Sequence, residues 1–262
     1  MDPNTDLVGR MVRAAGLTPR GAQIVGLGGS GNVVARLQGG LYAKIACADQ
    51  PDRVEDLARE THALACLAGK VPVPKIVWAG EADGRLALIT TALTGAPVSQ
   101  VEGADVPRAL AATIETLAVL HALPLATCPF EADVATKLAH AEARLARGLI
   151  DEDDFDDERQ GWSVAQVLAE VRRTAPTDEQ LVPTHGDACL PNIIWSSAHG
   201  VGLIDLGRFG LADPYQDLAL VLRSAARNHP GVATSDLMRA HYPLARIDSP
   251  RCDFYRLLDE LF

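Results

Sequence analysis

The sequence lacks both a long apolar run and the start of a secretion signal. None of its hydrophobic stretches approaches the roughly 18 residues needed to cross a bilayer. The chain opens with MDPNTDLVGRMVRAAGL, which has neither the basic start nor the apolar core of a signal peptide. We therefore expect a cytoplasmic protein without a membrane partner.

Cysteines are few and show no pairing pattern. They are odd in number, scattered, and form no CxxC pair: Cys47, Cys66, Cys128, Cys189 and Cys252. This spacing argues against a disulfide scaffold and against a cysteine zinc site. We expect reduced thiols that serve packing.

Basic side chains are also scarce, because 24 Lys and Arg face 34 Asp and Glu, for a net charge of −10. The imbalance is local: residues 1–95 carry 10 basic and 9 acidic side chains, whereas residues 96–262 carry 14 and 25. An acidic surface repels nucleic acid and attracts cations. We expect no nucleic-acid partner. The acid excess of the second part would attract cations, or would serve solubility, which alone would not need the asymmetry.

Hydrophobic residues are plentiful, at 48% of 262 residues, which is enough for one large domain or two small ones. After a short amphipathic helix within 1–17, the periodicity predicts strands separated by one helix. The Gly39-Gly40 pair predicts a hairpin turn. The predicted strands are 22–27, 33–38, 41–46, 71–80 and 84–93, and the helix is 52–69.

The remainder is predicted to be mainly helical. A linker at 94–100 coincides with the change in charge, so we predict an N-terminal nucleotide-binding lobe, 1–95, and a C-terminal catalytic and substrate-binding lobe, 96–262. A short strand over 201–207 is expected to carry Asp205 at its end. The predicted helices are 108–121, 134–148, 163–173, 214–227 and 253–262.

Polar features in residues 1–95 suit a nucleotide triphosphate. The glycines of the loop GGSGN, 28–32, with Ser30 at its centre, would let backbone N–H groups approach phosphate oxygens, although an ordinary hairpin has the same composition. Lys44 lies in an apolar strand on the face of Tyr42, and Glu60 lies on an apolar helix stripe. Pairing Lys44 with Glu60 would satisfy both, either as a structural pair or as one that aims Lys44 at phosphates.

A second feature is the stretch THGDACLPNIIW, 184–195. Asp187 precedes Asn192 by five positions, and Asp205 follows later. A phosphoryl-acceptor hydroxyl needs a carboxylate to orient it and take its proton, and a metal on the phosphates prefers hard oxygen ligands. We predict Asp187 as the catalytic base and Asn192 and Asp205 as ligands of Mg²⁺. Asp187 taken alone would also suit a turn or cap.

In this order, the glycine loop, Lys44, Glu60, HGD-x-x-x-x-N and the D-L-G at 205–207 resemble the protein-kinase-like fold. HGD stands where protein kinases have HRD, and the six residues between Gly207 and the 214–227 helix leave no room for an activation segment. The chain is most similar to the aminoglycoside 3′-phosphotransferases, through THGDACLPNI, IDLGRFGLADPYQDLA and FYRLLDELF. The similarity extends over essentially the whole chain.

The resemblance implies an α+β, bilobal protein-kinase-like fold, with a five-stranded antiparallel sheet plus a helix in the N-terminal lobe and a mainly helical C-terminal lobe. ATP and Mg²⁺ would lie in the cleft, and phosphate would pass to a hydroxyl of a kanamycin- or neomycin-type antibiotic. Tyr42 would stack on adenine, with Thr91 to Leu93 as the hinge. The acid run DEDDFDDE, 151–158, would help to bind substrate amines, and the implied substrate-binding residues are Asp156, Asp157, Arg208, Asp259, Glu260 and Phe262 with its carboxylate.

One region departs from the family, whose members often have acids in the helix around 224–228. This chain has Ser224 and Arg227 there, which puts the full substrate range in doubt. Alternatives are a kinase of choline, homoserine or a macrolide, and a non-catalytic nucleotide- or antibiotic-binding module. The aromatic content of 5% disfavours choline, which aromatics recognise. We expect a monomer.

Overall fold

The computed structural model describes residues 3–19, 21–27, 32–46, 50–243 and 247–262. The chain forms two compact units. The first comprises Met1–Gly95 and Gly202–Arg208, and the second comprises Ala96–Val201 and Phe209–Phe262. The second predicted lobe, 96–262, thus differs from the second unit in one short segment, 202–208, which packs with the first unit.

The first unit is built on one antiparallel sheet in the order β1-β2-β3-β5-β4. Gly39 and Gly40 connect β2 to β3 with φ values of 81° and 70°, the left-handed region that residues with a Cβ avoid. This is the predicted hairpin turn. The strands are β1 (Gln23–Leu27), β2 (Val33–Leu37), β3 (Leu41–Ile45), β4 (Ile76–Ala82) and β5 (Arg85–Thr91).

Helix α1 (Pro3–Ala14) covers one side of this sheet. Its apolar side chains recur at helical spacing and are buried against alternate residues of β2 and β3. Period-2 alternation in the strands and period-3.6 in the helix thus supply one shared core. Its buried members include Leu7, Val8, Met11, Val12, Val33, Ala35, Ala43 and Ile45.

Helix α2 (Pro51–Leu67) supplies the acid of the predicted ion pair. It begins with proline in its first turn, where the missing N–H costs nothing. Leu57, Glu60 and Leu64 lie on its buried face, so Glu60 is an acid within an apolar stripe, as the sequence indicated.

Two predicted strand boundaries are wrong. The strand predicted at 71–80 begins only at Ile76, because Pro72 and Pro74 have no N–H to donate to a ladder. The strand predicted at 201–207 ends at Leu203. Asp205 follows with φ of 59°, a left-handed conformation that ends extended structure.

The second unit is mainly helical, as predicted. Its helices are α3 (Val106–His121), α4 (Val134–Ala146), α5 (Val164–Thr174), α6 (Tyr215–Asn228), α7 (Thr234–His241) and α8 (Ser249–Asp259). Helix α6 packs against α7 and α8, and α5 also packs against α8. Helix α7, a short helix of eight residues, was not predicted. Helix α8 begins four residues earlier than predicted, and Pro250 lies in its first turn.

Short strands complete the second unit. Two sheets have the orders β6-β8-β9 and β10-β7, and the chain passes from the second unit into the first within β9. Their strands have two to four residues, too few for a periodic signal, which is why most of them were not predicted. They are β6 (Ala96–Pro97), β7 (Val182–Thr184), β8 (Ile193–Ser196), β9 (Gly200–Leu203) and β10 (Gly210–Ala212).

The predicted α+β class is confirmed, with a five-stranded antiparallel sheet and helix first and a mainly helical part afterwards. Within the described residues, no helix has the length and apolar character that a membrane span requires.

Candidate active site

Lys44 lies at the centre of the polar cluster in the first unit. Its ammonium donates to Glu60 Oε2 at 2.8 Å and to Asp205 Oδ1 at 2.7 Å. The first contact is the pair predicted from the sequence. The second was not predicted, and it joins the D-L-G segment to β3. All three residues belong to the first unit, so these ion pairs lie within it.

The charges of this cluster stabilise one another. Burial by itself disfavours the Lys44 ammonium, but the carboxylates of Glu60 and Asp205 outweigh it and raise the pKa of Lys44. The lysine is therefore a permanent cation at physiological pH. Its side chain is 15% exposed, so its charge is only partly screened by water.

The turn after β9 fits closely onto α2. A Cβ at Gly207 would come within 3.2 Å of the Asp56 backbone oxygen, so the third position of D-L-G leaves little room for a side chain. Burial raises the pKa of Asp56, against the opposing charge of Arg208. This packing fixes the short helical turn Leu206–Arg208 beside the helix that carries Glu60.

The residues predicted to hold the nucleotide base lie on β3, at the end of β5 and just after it. Tyr42 is half-buried and is paired in register with Thr90. The Thr91 side-chain and main-chain groups are bonded to Lys75. Leu93 packs on the backbone of Gly202, where a Cβ would come within 2.6 Å of its Cδ1 atom. Ser30 and the rest of the glycine loop through Gly31 lie outside the described residues.

The second unit contains the HGD loop. The Asn192 amide donates to the backbone oxygen of Asp187 at 3.1 Å and to its carboxylate at 3.0 Å. The Asp187 N–H donates to His185 Nδ1 at 3.2 Å. The five-residue spacing noted in the sequence therefore closes a loop in which the asparagine fixes the orientation of the aspartate.

Asp217 of α6 holds the backbone of this loop. Its carboxylate accepts hydrogen bonds from the N–H groups of His185 at 2.7 Å and Gly186 at 2.9 Å. His121 Nε2 lies 2.9 Å from the same carboxylate, and Tyr242 lies 2.6 Å from His121 Nδ1. Burial by itself would raise the pKa of the Asp217 carboxyl. The hydrogen bond from His121 is the largest of the interactions that outweigh this effect, and the pKa of Asp217 is lowered. Asp217 thus has a structural role as a clasp on the loop.

Two further side chains of α6 hold the same loop. Gln216 Nε2 donates to the Gly186 carbonyl at 3.2 Å. Ser224 Oγ accepts from the Leu190 N–H at 3.0 Å and is 7% exposed. Ser224, which the sequence analysis noted only as a missing acid, therefore positions the segment between Asp187 and Asn192.

A network of charges lies where the substrate acids were predicted. Arg223 of α6 donates to Asp156 Oδ2 at 3.1 Å and to Asp259 Oδ2 at 2.5 Å. Arg227 donates to Asp156 Oδ1 at 2.6 Å. Burial opposes the Arg223 charge, but the carboxylates of Asp259 and Asp156 raise its pKa. Asp156 and Asp259 are therefore brought together by an arginine that lies between them.

The remaining predicted acids differ in environment. Glu260 accepts from the Asp156 N–H at 3.0 Å, and burial raises its pKa to about 7. Asp157 is exposed. The Phe262 ring lies under Lys137, whose Nζ is 5.3 Å from the ring centroid, and near Arg144.

Arg208 and Cys189 were also singled out in the sequence. Arg208 belongs to the first unit, whereas the arginines seen to hold Asp156 and Asp259 are Arg223 and Arg227. Burial and the nearby Asp187 carboxylate raise the pKa of the Cys189 thiol, so this sulfur is not a poised nucleophile. The described cysteines are free thiols, as expected, and Cys47 lies outside the described residues.

Sequence reasoning missed His121, Tyr242, Arg223 and the bond from Arg227. A signal existed for the arginines, because positions 223 and 227 are four apart and face the same side of a helix. His121 is buried, at 6% exposure, on a mainly apolar face of α3, and no sequence pattern indicates its polar partners.

Comparison with known proteins agrees with this arrangement. The phosphotransferase enzyme family model matches residues 23–255. An aminoglycoside 3′-phosphotransferase of Streptomyces fradiae is 36% identical over 90% of this chain and 92% of its own. A crystal structure of an aminoglycoside 3′-phosphotransferase of type VIII is 33% identical, with a TM-score of 0.83 over 99% of this chain and 100% of that one. APH(3″)-Id from Streptomyces rimosus, in complex with ADP and streptomycin, is 28% identical, with a TM-score of 0.84 over 100% and 99%.

Proposed function

The chain belongs to the phosphotransferase enzyme family, and from this we propose that it is an aminoglycoside kinase. It transfers the γ-phosphoryl group of ATP to the 3′-hydroxyl of kanamycin- or neomycin-type antibiotics and so confers resistance to them. The resemblance inferred from its motifs is borne out by relatives that are aminoglycoside 3′-phosphotransferases. These relatives favour an aminoglycoside over choline, homoserine or a macrolide.

The observation that carries the proposal is the fixed carboxylate of Asp187. It accepts one hydrogen bond from the Asn192 amide, which also donates to the Asp187 backbone oxygen, in a loop whose backbone is held by Asp217. A carboxylate held in this way can orient an acceptor hydroxyl and take its proton as the oxygen attacks phosphorus. The transition state is largely loose, so positioning and electrostatics supply most of the rate.

The donor nucleotide is assigned to the first unit. The Lys44 ammonium, held by Glu60 at 2.8 Å, would neutralise phosphate charge. Tyr42 would stack on adenine, the stretch Thr91 to Leu93 would bond the base, and Ser30 would lie at the phosphates. Solved relatives bound to ADP and GDP support nucleotide binding. We assign ATP as the donor, so the cytoplasm is the compartment proposed for the reaction.

The residues present fit Mg²⁺. Both bonds of the Asn192 amide nitrogen go to Asp187, and no donor within the described residues is bonded to its Oδ1 atom, which can face a cation. Within those residues, no group of three or more His, Cys, Asp or Glu could hold a metal, so phosphate oxygens would complete the shell. Asn192 and Asp205 would hold the ion, which when bound neutralises charge on the phosphates.

The acidic residues of the second unit are proposed to bind the antibiotic. Asp156 and Asp259 lie on the two sides of Arg223, and Glu260 is bonded to the Asp156 backbone. Their carboxylates would attract substrate ammonium groups. Asp157, Arg208 and Phe262 are retained as proposed substrate contacts. We propose a monomer that needs no nucleic acid.

The test is ADP release from Mg-ATP with kanamycin, neomycin, a compound lacking the 3′-hydroxyl, choline and homoserine, using wild type and Asp187→Asn. We expect turnover with the first two alone, reduced about 10²–10⁴-fold in the variant. Equal turnover with the compound lacking the 3′-hydroxyl would refute the regiochemistry. Turnover with choline or homoserine only would refute the substrate class.

A further inference from the structure

Two arginines lie among the acids that the proposed function assigns to the substrate. Arg223 and Arg227 are one helical turn apart on α6 and so share a face. Together they occupy both carboxylate oxygens of Asp156, since Arg223 bonds Oδ2 at 3.1 Å and Arg227 bonds Oδ1 at 2.6 Å. An ammonium group that approaches Asp156 therefore meets a carboxylate that already has two cationic partners.

The two arginines are not equivalent. The Arg223 side chain is 20% exposed and bridges Asp156 to Asp259, so its removal would leave both carboxylates without this shared cation. The Arg227 side chain is 67% exposed, and within the described residues its only partner is Asp156. An exposed ion pair of this kind is worth little and exchanges readily. Arg227 is the member of the network that a substrate can displace.

The balance of charge around Asp156 determines how much a cationic substrate gains by displacing Arg227. Asp156, Asp259 and Glu260 are offset by two guanidinium groups, and Glu260 is itself partly protonated near neutral pH because of its burial. The region is therefore far less negative than the acid-rich sequence around it suggests. A polycationic ligand gains less here than it would from unpaired acids.

We propose that Arg227 is a specificity-determining residue that occupies an ammonium position at Asp156 and thereby disfavours the more highly charged aminoglycosides. This inference rests on the proposed function, since it concerns the same substrate site. The chemistry is exchange of one cation for another at one carboxylate. Arg223 stays in place as the bridge, and Arg227 yields to the substrate.

The test compares wild type with Arg227→Ala, Arg227→Lys and Arg227→Glu. Arg227→Ala should lower KM for kanamycin about two- to fivefold, and Arg227→Glu about tenfold or more, with KM for ATP unchanged. The gain should be larger for neomycin, which has more amino groups, and should shrink as salt is raised. Arg227→Lys, which keeps the charge, should resemble wild type.

The matched control is Arg173→Ala. Arg173 is 68% exposed and paired with Glu170 at the far end of α5, so the variant makes the same change in net charge elsewhere. It should leave both KM values unchanged. An equal gain in this control would mean that only net charge matters and would overturn the inference.

Kanamycin affinity is also measured directly, by calorimetry without nucleotide. Turnover with an unchanged or raised kanamycin KM in Arg227→Ala would overturn the role of Arg227 while the proposed function stands. Tighter binding in Arg227→Ala without turnover in any form would support the role of Arg227 and overturn the proposed function. Absence of binding in every variant would overturn both.

Discussion

Asn192 donates hydrogen bonds from its side-chain amide to the backbone oxygen and to the carboxylate of Asp187, at 3.1 and 3.0 Å. The residue proposed to hold the metal thus also orients the proposed base. The Asn192 side chain therefore couples two proposed roles, metal binding and orientation of the base, that the sequence does not connect.

Replacing Asn192 by Asp separates these roles. The substitution keeps an oxygen ligand, but it replaces the hydrogen bond to Asp187 with repulsion between two carboxylates. We expect kcat to fall about 10–10²-fold, while the Mg²⁺ concentration that gives half-maximal activation should not rise. Asn192→Ala should lower kcat and also raise the Mg²⁺ requirement. Steady-state kinetics over a magnesium series distinguish them, and an unchanged kcat in Asn192→Asp would contradict the orienting role.

The ion pairs of Lys44 should contribute to stability as well as to activity. Lys44→Met leaves the carboxylates of Glu60 and Asp205 without the cation between them, which should cost about 3 kcal/mol in the free energy of unfolding. Glu60→Gln in the same chain should restore part of this loss, because one of the two acids is then neutral. Urea unfolding of the two single variants and the double variant measures the coupling. Strictly additive effects would show that the pair is not coupled.

Asp217 should make stability depend on pH in acid. Its pKa is lowered in the folded state, so the stability that it contributes is present above the ordinary value of 3.8 and is lost as pH falls through the folded pKa. Asp217→Asn should cost about 2–4 kcal/mol at pH 7, since buried donors lose a charged acceptor. It should also flatten the decline of stability below pH 4. Thermal melting of both proteins from pH 7 to pH 3 tests this, and parallel curves would refute it.

Glu260 should make stability depend on pH in the opposite direction. Burial raises its pKa from 4.5 to about 7, so the folded state holds a proton that the unfolded state releases. Stability should therefore fall as pH rises from about 4.5 to 7, and Glu260→Gln should remove this part of the decline. The effect is reduced because the residue is partly exposed to solvent. The melting temperature measured at pH 5 and pH 7.5 checks it, and an equal difference in both proteins would exclude Glu260 as the source.

Much of the fold was predictable because its signals are local. The alternation of β3 and the stripe of α2 are periodic over enough residues to separate strand from helix. The failures were also local in origin. Pro72 and Pro74 moved the start of a strand that apolar composition favoured to Ile76, and the sheets of the second unit use strands too short to carry a period. The left-handed Asp205 was not predictable, since a non-glycine residue in that conformation is uncommon.

The sequence by itself determined which groups are proposed to react and their order along the chain, because the HGD loop, Lys44 and Glu60 are polar groups in local settings that predict a partner. Only the tertiary structure decided which partners they have. Lys44 meets a second carboxylate 161 residues away, and Arg227 meets Asp156 at a separation of 71. Contacts at such separations depend on how elements pack, and the charge of a residue does not specify which opposite charge the packing brings to it.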